Sequence, residues 1–497
     1  MITKLRTTWE NTIKKYSSQP LKYLIAESID DISEAVKMAE ADNVRLRAIG
    51  SGHSFSDVAI TDGYLVDISR LCRILKLDKS RLKDSDSSDT LVYVEGGITI
   101  QEFNKKMEDQ DLCVLNMGGI DEQTLAGAIS TGTHGTGIDL PAFYGMVKAM
   151  VVVTHGGQIQ WIEPTNGITE KTSFNDPKMT LVQDDEIFNS VVVGLGCMGV
   201  IYAYVLQMEK MYWLAESKEL TTWDAVKPKL ADRSLFEKDD QGNQKYRGIM
   251  VQMSPYLDKK GIRNCIVVRH QLLPGKPHRT LGDRMRNIIS SVAGSIPITY
   301  WFLQLMIRFF PKVIPGLVSN SLKSLRDKSY ENKGYKVLYQ GVEYVKLRAY
   351  DGEYAFDMKN NNNNFLSALE DMFDKARELA EKDRLYQTSP MGLRFVQGLD
   401  AYICADYQKQ VCYIDTPSVL NTPGIDEILN IYQDIMLSHD GIPHWGKIHN
   451  RIVGRTDLIK KHFPALNKWE KVFNQMNPNG TFNNDFTDRL QLGRLTV

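Results

Sequence analysis

The stretch Gly118–Gly137, GGIDEQTLAGAISTGTHGTG, decides how the rest of the chain is interpreted. With the preceding Asn116 and Met117 it holds six glycines and five serines or threonines in 22 residues. A structural loop rarely needs so many small and hydroxyl side chains, whereas a groove lined by backbone groups does. The stretch therefore indicates a binding loop for a long, thin, polar ligand.

Two further glycine-rich loops lie on either side of this stretch. The first, Ile49–Asp57 (IGSGHSFSD), directly follows a β-like run, and clustered N–H groups in such a turn can cradle phosphate oxygens. Its spacing is not that of a dinucleotide fingerprint, and a plain tight turn explains it equally well. The second, Gly194–Ile201 (GLGCMGVI), taken alone favours close packing of a strand or helix.

Composition and charge exclude several classes of protein. The chain has 497 residues, with 60 Lys and Arg against 61 Asp and Glu, so no general nucleic-acid partner is expected. Six scattered cysteines without a C-x-x-C pair predict reduced, mostly buried thiols, and no metal site is predicted. The N-terminus, MITKLRTTWENTIKKY, lacks the apolar core of a secretory signal, and no uncharged apolar run reaches about 18 residues. We therefore expect a cytoplasmic protein.

The pattern of apolar residues changes near residue 211. Before it, strand and helix patterns alternate: residues 29–43 have helical spacing, and residues 146–162 predict two strands joined by a turn at Gly156-Gly157. After it, longer segments alternate without the small-residue loops. The change predicts a glycine-rich N-terminal domain followed by a larger second domain.

Taken together, the motifs carry a family resemblance. IGSGHSFSD, GGIDEQTLAGAISTGTHGTG and DEIFNSVVVGLGCMGVIYAYVLQM resemble the flavin-binding domain of the vanillyl-alcohol-oxidase superfamily. The second half is similar to the aldonolactone and alditol oxidases through the motifs EYAF (353–356), LRFVQGLDAYICADY (393–407), PHWGK (443–447) and NPNGTFNNDFTDRL (477–490). The resemblance implies an α+β fold: a two-part FAD-binding domain of the PCMH type over residues 1–212, a cap domain with a large antiparallel sheet over 213–460, and a tail, 461–497, that returns to the first domain.

The resemblance also implies the cofactor and the residues that hold it. FAD would be attached covalently through His53 to the 8α carbon of its isoalloxazine ring; the alternative is a loop histidine that hydrogen-bonds its own turn. His134 would line the ring or serve equally well as a structural hydrogen-bonding group. The other residues expected along the cofactor are Gly50, Ser51, Gly52, Ser54, Gly118, Gly119, Gly127, Ser130, Thr131, Gly135, Gly199 and Ile201.

For the reacting centre, the resemblance points to Lys447 of PHWGK and to Arg394. Thr124 matches a small hydroxyl residue that faces the substrate in alditol oxidases. One departure is Gly392, which stands where most relatives carry a glutamate two residues before the arginine. Glu353 and Tyr413 are the candidate replacements. A glycine here would open space and remove a charge, which predicts poor activity on small free polyols.

These features predict an FAD-dependent oxidoreductase. It would oxidise a CH–OH group of a sugar 1,4-lactone or related polyol by hydride transfer to flavin N5, with molecular oxygen or another electron acceptor. A flavin-linked sterol or other lipid-alcohol oxidase is the second enzyme hypothesis. A non-catalytic flavin-fold binding protein is the third.

The most apolar stretch of the chain, residues 296–318 (IPITYWFLQLMIRFFPKVIPGLV), has two interpretations. Three prolines and two cations interrupt it, so it is too short to span a bilayer and can be a buried helix of the cap. Its aromatics beside cations also suit peripheral contact with an anionic membrane. Both interpretations remain open at the level of sequence.

Overall fold

A computed structural model describes residues 1–83, 86–277, 297–326, 329–340 and 348–495. The predicted helix over 29–43 is present as α1 (Ile29–Ala41), with the Ser28 side chain accepting the Asp31 N–H at its start. Its apolar residues face the interior, as their helical spacing predicts. Among the described helices, none is both long and apolar enough to cross a membrane.

The strands of the N-terminal part are short. In chain order they are β1 (Ile2–Lys4), β2 (Trp9–Glu10), β3 (Ser17–Ser18), β4 (Lys22–Ile25), β5 (Leu46–Ile49), β6 (Tyr64–Asp67), β7 (Ile74–Leu75), β8 (Leu91–Glu95), β9 (Leu112–Cys113), β10 (Val147–Val153), β11 (Ile159–Glu163), β12 (Met179–Gln183), β13 (Val200–Gln207) and β14 (Glu209–Lys210). The helices that follow α1 here are α2 (Ile100–Glu108), α3 (Leu125–Ser130) and α4 (Asp185–Val191).

These strands form two main sheets, which is the two-part arrangement that the sequence predicts. A four-stranded sheet has the order β1-β4-β6-β5, and a six-stranded sheet has the order β12-β11-β10-β13-β8-β7. The two strands predicted on either side of Gly156-Gly157 are the antiparallel neighbours β10 and β11. The His53 loop leaves the end of β5, and the loop 194–199 leads directly into β13. Both loops therefore sit at sheet ends, where backbone groups are free to meet a ligand.

The second part of the chain is built on one large sheet. Its strands are β15 (Trp213–Thr222), β16 (Gly248–Met253), β17 (Asn264–Leu273), β18 (Ser329–Lys333), β19 (Ala349–Tyr350), β20 (Glu353–Asp357), β21 (Met391–Gln397), β22 (Gln410–Asp415), β23 (Ser418–Val419) and β24 (Ile442–Pro443). Its helices are α5 (Trp223–Ala231), α6 (Pro297–Phe309), α7 (Ile314–Lys323), α8 (Gly334–Leu338), α9 (Asn364–Glu378), α10 (Ile425–Ser438), α11 (Thr456–His462), α12 (Leu466–Met476) and α13 (Asp485–Arg489).

The large sheet has the order β18-β15-β17-β16-β21-β22-β20-β24, and all its neighbouring strands are antiparallel. Side chains alternate between its two faces. Leu393, Phe395 and Ile414 belong to the apolar core that α9 and α10 cover, whereas Arg394 and Tyr413 occupy the opposite face. The predicted α+β fold with a large antiparallel sheet is confirmed, and the polar face of this sheet is turned toward the glycine loops.

The C-terminal tail packs against the N-terminal sheets. The Trp469 indole donates to the Ser190 carbonyl of α4 at 3.2 Å. Asn484 caps α13 and donates from its amide to the carbonyls of Val58 (3.1 Å) and Ile60 (2.9 Å). The tail therefore holds the segment that directly follows the His53 loop.

The bonds of Asn484 give a prediction for stability. Asn484→Ala removes a helix cap and leaves buried carbonyls without a donor, which we expect to cost about 2 kcal/mol or more. The midpoint of thermal unfolding, followed by circular dichroism, should fall by about 2 °C or more. Asn467→Ala, an exposed asparagine of the same tail, is the matched control. Equal midpoints for the two variants would contradict this role of Asn484.

Candidate active site

The loop that contains His53 is anchored to two other segments. The Ser51 hydroxyl accepts the Thr124 N–H at 3.1 Å, which ties the loop to the second glycine-rich stretch. The Phe55 N–H donates to the Gly446 carbonyl at 2.8 Å, which ties it to the cap. His53 is thereby held where both parts of the chain meet.

Thr124 packs between the His53 loop and the glycine-rich stretch 118–137. A Cβ added to Gly50 would lie 1.9 Å from the Thr124 hydroxyl oxygen, so only glycine fits there. The same hydroxyl caps α3 by accepting the Gly127 N–H at 3.3 Å. Thr124 lines the cleft described below, but its oxygen already has this partner.

The second glycine stretch also docks on the cap sheet. The Gly137 N–H donates to the Phe395 carbonyl at 2.7 Å. Gly135, expected along the cofactor, does not line the cleft: its Cβ position would lie 2.1 Å from the Asn116 amide oxygen. Gly135 is therefore required by packing inside the loop.

No sequence motif identified Arg47, which organises the glycine-rich loop 194–199. Its guanidinium, on a residue only 2% exposed, donates to the carbonyls of Gly196 and Phe482, both at 2.9 Å. Leu195, Gly196 and Gly199 all have positive φ, so the loop turns sharply around this cation. An arginine inside the otherwise apolar strand β5 was the signal that could have identified it.

The three loops and the cap enclose one cleft with about 1370 Å³ of empty space, part of it open to solvent. Most of the predicted residues line it. Those from the flavin-type loops are Gly50, Ser51, Gly52, His53, Ser54, Gly118, Gly119, Thr124, Gly127, Ser130, Thr131, His134, Gly199 and Ile201. Those from the cap are Glu353, Arg394 and Lys447; Tyr413, like Gly135, does not line it.

The backbone of the first loop fits the phosphates of a dinucleotide. Within the described residues, no acceptor is found for the consecutive N–H groups of Ser51, Gly52, His53 and Ser54, which all line the cleft. These residues are half-buried, and consecutive N–H groups that open onto a cleft in this way are available to bind the oxygens of an anion. Many of the residues that line the cleft are small. The site therefore fits FAD.

The cap contributes a buried charge cluster centred on Lys447. Its ammonium lies 2.5 Å from a carboxylate oxygen of Asp351 and 3.4 Å from one of Glu353. Burial alone would lower the pKa of Lys447, but these carboxylates reverse the effect and raise it. Asp351, which sequence analysis did not identify, is buried as well, and burial raises its pKa to about 7 despite the neighbouring ammonium.

Glu353 stays ionised in this cluster. Burial would raise its pKa, but the charges of Lys447 and His134 outweigh burial and hold the pKa well below its usual range. The His134 Nε2 lies 3.3 Å from Glu353, without the alignment of a hydrogen bond. The His134 ring stacks on the buried Tyr413 ring at 3.7 Å between centroids. Tyr413 therefore supports His134 from behind the cleft.

His134, Glu353 and His444 place three ligand-type atoms within 4.8 Å of one another. The His444 Nδ1 accepts the Gly446 N–H at 3.1 Å, which leaves Nε2 as the protonated nitrogen that donates to the Gly132 carbonyl at 3.2 Å. Both nitrogens of His444 are thus engaged, and its ring has no lone pair to offer a metal. The cluster is better explained as part of the polar wall of the cleft.

The expectation that Gly392 opens space is wrong. A Cβ at this position would lie 2.0 Å from a carboxylate oxygen of Asp415, which pairs with Gly392 across strands β21 and β22. The predicted weakness on small polyols rested on that space and loses its basis. The neighbouring Arg394 donates to the Gln340 side-chain oxygen at 3.1 Å. The backbone N–H of Gln340 donates to the Gly119 carbonyl at 2.9 Å.

The chain is similar to curated proteins over nearly its whole length. An L-gulono-1,4-lactone dehydrogenase of Mycobacterium tuberculosis is 26% identical over 468 residues, which cover 94% of each chain. An L-gulonolactone oxidase of Scyliorhinus torazame is 24% identical over 498 residues, which cover 97% of each chain.

Among solved structures, a cholesterol oxidase from B. sterolicum matches with a TM-score of 0.70 at 14% identity, covering 98% of this chain and 97% of that one. At this identity the match shows a shared fold alone.

Two family models match separate parts of the chain. The model described as an FAD binding domain matches residues 20–163, which include the His53 loop and the stretch 118–137. The model described as D-arabinono-1,4-lactone oxidase matches residues 233–490, which include Glu353, Arg394 and Lys447. Because this second match spans more than half of the 497 residues, the chain belongs to the D-arabinono-1,4-lactone oxidase family.

Proposed function

We propose that the protein is an FAD-dependent oxidoreductase that oxidises a hydroxyl-bearing carbon of a sugar 1,4-lactone. The observation that carries the proposal is the single cleft shared by the flavin-type loops and the charged face of the cap sheet. The names of the relatives from M. tuberculosis and S. torazame supply the class of substrate. Half-buried cations beside buried carboxylates suit a polyhydroxylated lactone better than a sterol, whose body is apolar.

Different residues would bind the cofactor and the substrate. The unpaired N–H groups of residues 51–54 would hold the phosphates of FAD. When bound, FAD supplies the acceptor for the hydride that leaves the substrate carbon, and oxygen or another acceptor takes the electrons afterwards. Glu353, ionised and facing the cleft, would take the hydroxyl proton as the hydride leaves the carbon, because that departure makes the proton acidic enough for a carboxylate of low pKa; Lys447 and Arg394 would hold the substrate oxygen.

We propose that His53 carries a covalent bond to FAD. Burial lowers the pKa of its imidazole, so the neutral ring with a free lone pair is available at neutral pH. The new bond joins an imidazole nitrogen to the 8α carbon. One hydrogen leaves each partner, and the two electrons and two protons pass to oxygen as hydrogen peroxide.

A second proposal concerns residues 296–318, which we propose rest on an anionic membrane surface. This segment holds Arg308 and Lys312 and no acidic residue. It buries Ile314 and Val318. Residue 296 and the side chains of 297–302 lie outside the described part, so the support comes from residues 303–318.

The outward face of this segment is apolar although it is exposed. The exposed fractions are 63% for Phe309, 56% for Phe310, 39% for Val313 and 41% for Leu317. Large apolar side chains beside exposed cations suit the boundary between lipid headgroups and acyl chains. The buried-helix interpretation of the sequence therefore accounts for only one face.

The covalent link is tested by flavin retention. Denatured wild-type protein should fluoresce on a gel under ultraviolet light, and His53→Ala should lose that band while still binding FAD through the other loops. His155→Ala, a histidine outside the cleft, is the control and should keep the band. Wild-type protein that releases all its flavin on acid precipitation would show that the bond does not form.

The cations of the cleft are tested by the rate of flavin reduction without oxygen. With L-gulono-1,4-lactone, Lys447→Met should lower the rate by about 100-fold or more, the scale expected when a charge-stabilising group is lost. Arg394→Lys should recover only part of the wild-type rate, since an ammonium lacks the planar fork of guanidinium. Lys471→Met, an exposed lysine paired with Glu186, should be unaffected. Wild-type rates in both cleft variants would remove these residues from the reaction.

The membrane surface is tested by flotation. Wild-type protein at low salt should float with vesicles of phosphatidylserine and phosphatidylcholine, and less with phosphatidylcholine alone. Phe309→Ser/Phe310→Ser should bind at least about tenfold more weakly, because two aromatic side chains no longer enter the lipid. Leu21→Ser/Leu257→Ser removes exposed leucines elsewhere and serves as control. The proposal fails if wild-type protein stays unbound at low salt.

A further inference from the structure

The N-terminal hairpin, residues 9–18, borders the same cleft as the His53 loop. Its strands β2 and β3 are antiparallel neighbours. Trp9 and Asn11 of the hairpin line the cleft together with residues 50–56. The match to the FAD binding domain begins only at residue 20, so the hairpin lies outside both matched regions. Its place in the cleft is therefore a property of this structure that the matched regions do not include.

The hairpin binds the carbonyl groups of the His53 loop. The Thr12 N–H donates to the Gly52 carbonyl at 2.9 Å, and the Asn11 side-chain amide donates to the Ser54 carbonyl at 3.0 Å. Asn11 is only 3% exposed, and its Oδ1 accepts two backbone N–H groups of the hairpin turn. The loop is thus fixed through its carbonyls, which leaves its unpaired N–H groups directed to an anion.

The turn of the hairpin is also attached to the cap. Ile13 is buried in the same apolar core as Phe395 of the large sheet. The Lys15 ammonium pairs with the carboxylate of Asp426 in the first turn of α10, and it lies 4.0 Å from the centre of the Tyr350 ring. Because the hairpin is held by the loop on one side and by the cap on the other, the position of Trp9 is fixed from both sides.

The Trp9 ring lies against the backbone of the His53 loop. A Cβ at Gly52 would come within 3.1 Å of the Trp9 Cζ2 atom. Trp9 is half-buried, and among the residues that the structure describes none accepts its indole N–H. A large aromatic ring at the wall of a cleft offers apolar area and one free donor to a ligand. This ring offers both beside the N–H groups that fit the phosphates.

We propose that Trp9 is a cofactor-binding residue whose indole ring packs against FAD beside its phosphate groups, and that Asn11 positions the His53 loop for the same cofactor. The inference rests on the proposed function and extends its phosphate site to the N-terminus. Packing of the indole removes apolar area from water and shields the phosphate contacts, so its loss speeds the release of FAD.

The test is the rate of FAD release from a protein that cannot form the covalent bond. His53→Ala loaded with FAD is diluted, and release is followed by the rise in flavin fluorescence. Adding Trp9→Ala should speed release by about tenfold or more, the scale of one lost aromatic contact. Trp9→Phe, which keeps a ring, should stay within about threefold of His53→Ala. Asn11→Ala should also speed release, because the Ser54 carbonyl loses its donor.

Trp213→Ala is the matched control, because Trp213 is a half-buried tryptophan of β15 that does not line the cleft. It should leave the release rate within about twofold. With His53 intact, the flavin content per chain should fall by about half or more in Trp9→Ala and stay unchanged in Trp213→Ala. This second readout holds even if His53→Ala retains no FAD.

The outcomes separate contact with the cofactor from a role in folding. A lowered melting temperature of Trp9→Ala with unchanged flavin release and unchanged flavin content overturns the proposal, and so does equally fast release from Trp213→Ala. Wild-type protein whose flavin no lactone reduces contradicts the proposed function itself. That result is thus distinguished from a failure of Trp9 alone.

Discussion

The Lys447 ammonium, held between the carboxylates of Asp351 and Glu353, is the interaction on which the site depends. A buried carboxylate is costly unless it is paired, and here the half-buried ammonium pairs with two of them. Lys447 directly follows Gly446, whose carbonyl receives the N–H of Phe55 from the His53 loop. The same short segment therefore fixes the charge of the cap and the position of the first flavin-type loop.

The charge balance of the cleft follows from this pairing. Asp351, Glu353 and Asp415 face the cations Lys447 and Arg394, so carboxyl groups outnumber the cations. Burial raises the pKa of both Asp351 and Asp415, and the lowered pKa of Glu353 leaves that residue as the ionised acid. A site in which one carboxylate stays ionised beside cations can accept the hydroxyl proton as the hydride leaves the carbon, while the cations hold the substrate oxygen.

The sequence predicted the glycine loops and the cap residues Glu353, Arg394 and Lys447 that line the cleft, but it missed the residues that reach the site only through the fold. Glycine and hydroxyl patterns are local, so the His53 loop and the stretch 118–137 could be identified before any fold was known. Gln340, Asp351 and Asp415 join the site only through strand register and the packing of distant segments, which no local pattern encodes. Gly392 is an example: the glycine alone indicates open space, but the side chain of Asp415 on the neighbouring strand fills that space.

The most direct test is an anaerobic titration of the purified, flavin-loaded protein with three classes of alcohol, followed by the visible absorbance of the flavin. We expect L-gulono-1,4-lactone or D-arabinono-1,4-lactone to bleach the flavin fully and cholesterol to leave it oxidised. Xylitol serves as the hydroxyl-rich compound without a lactone ring, and its rate relative to the lactones measures how much the ring contributes to recognition. Flavin that remains oxidised with every lactone but is bleached by the sterol would contradict the assignment of the cleft to sugar-lactone oxidation.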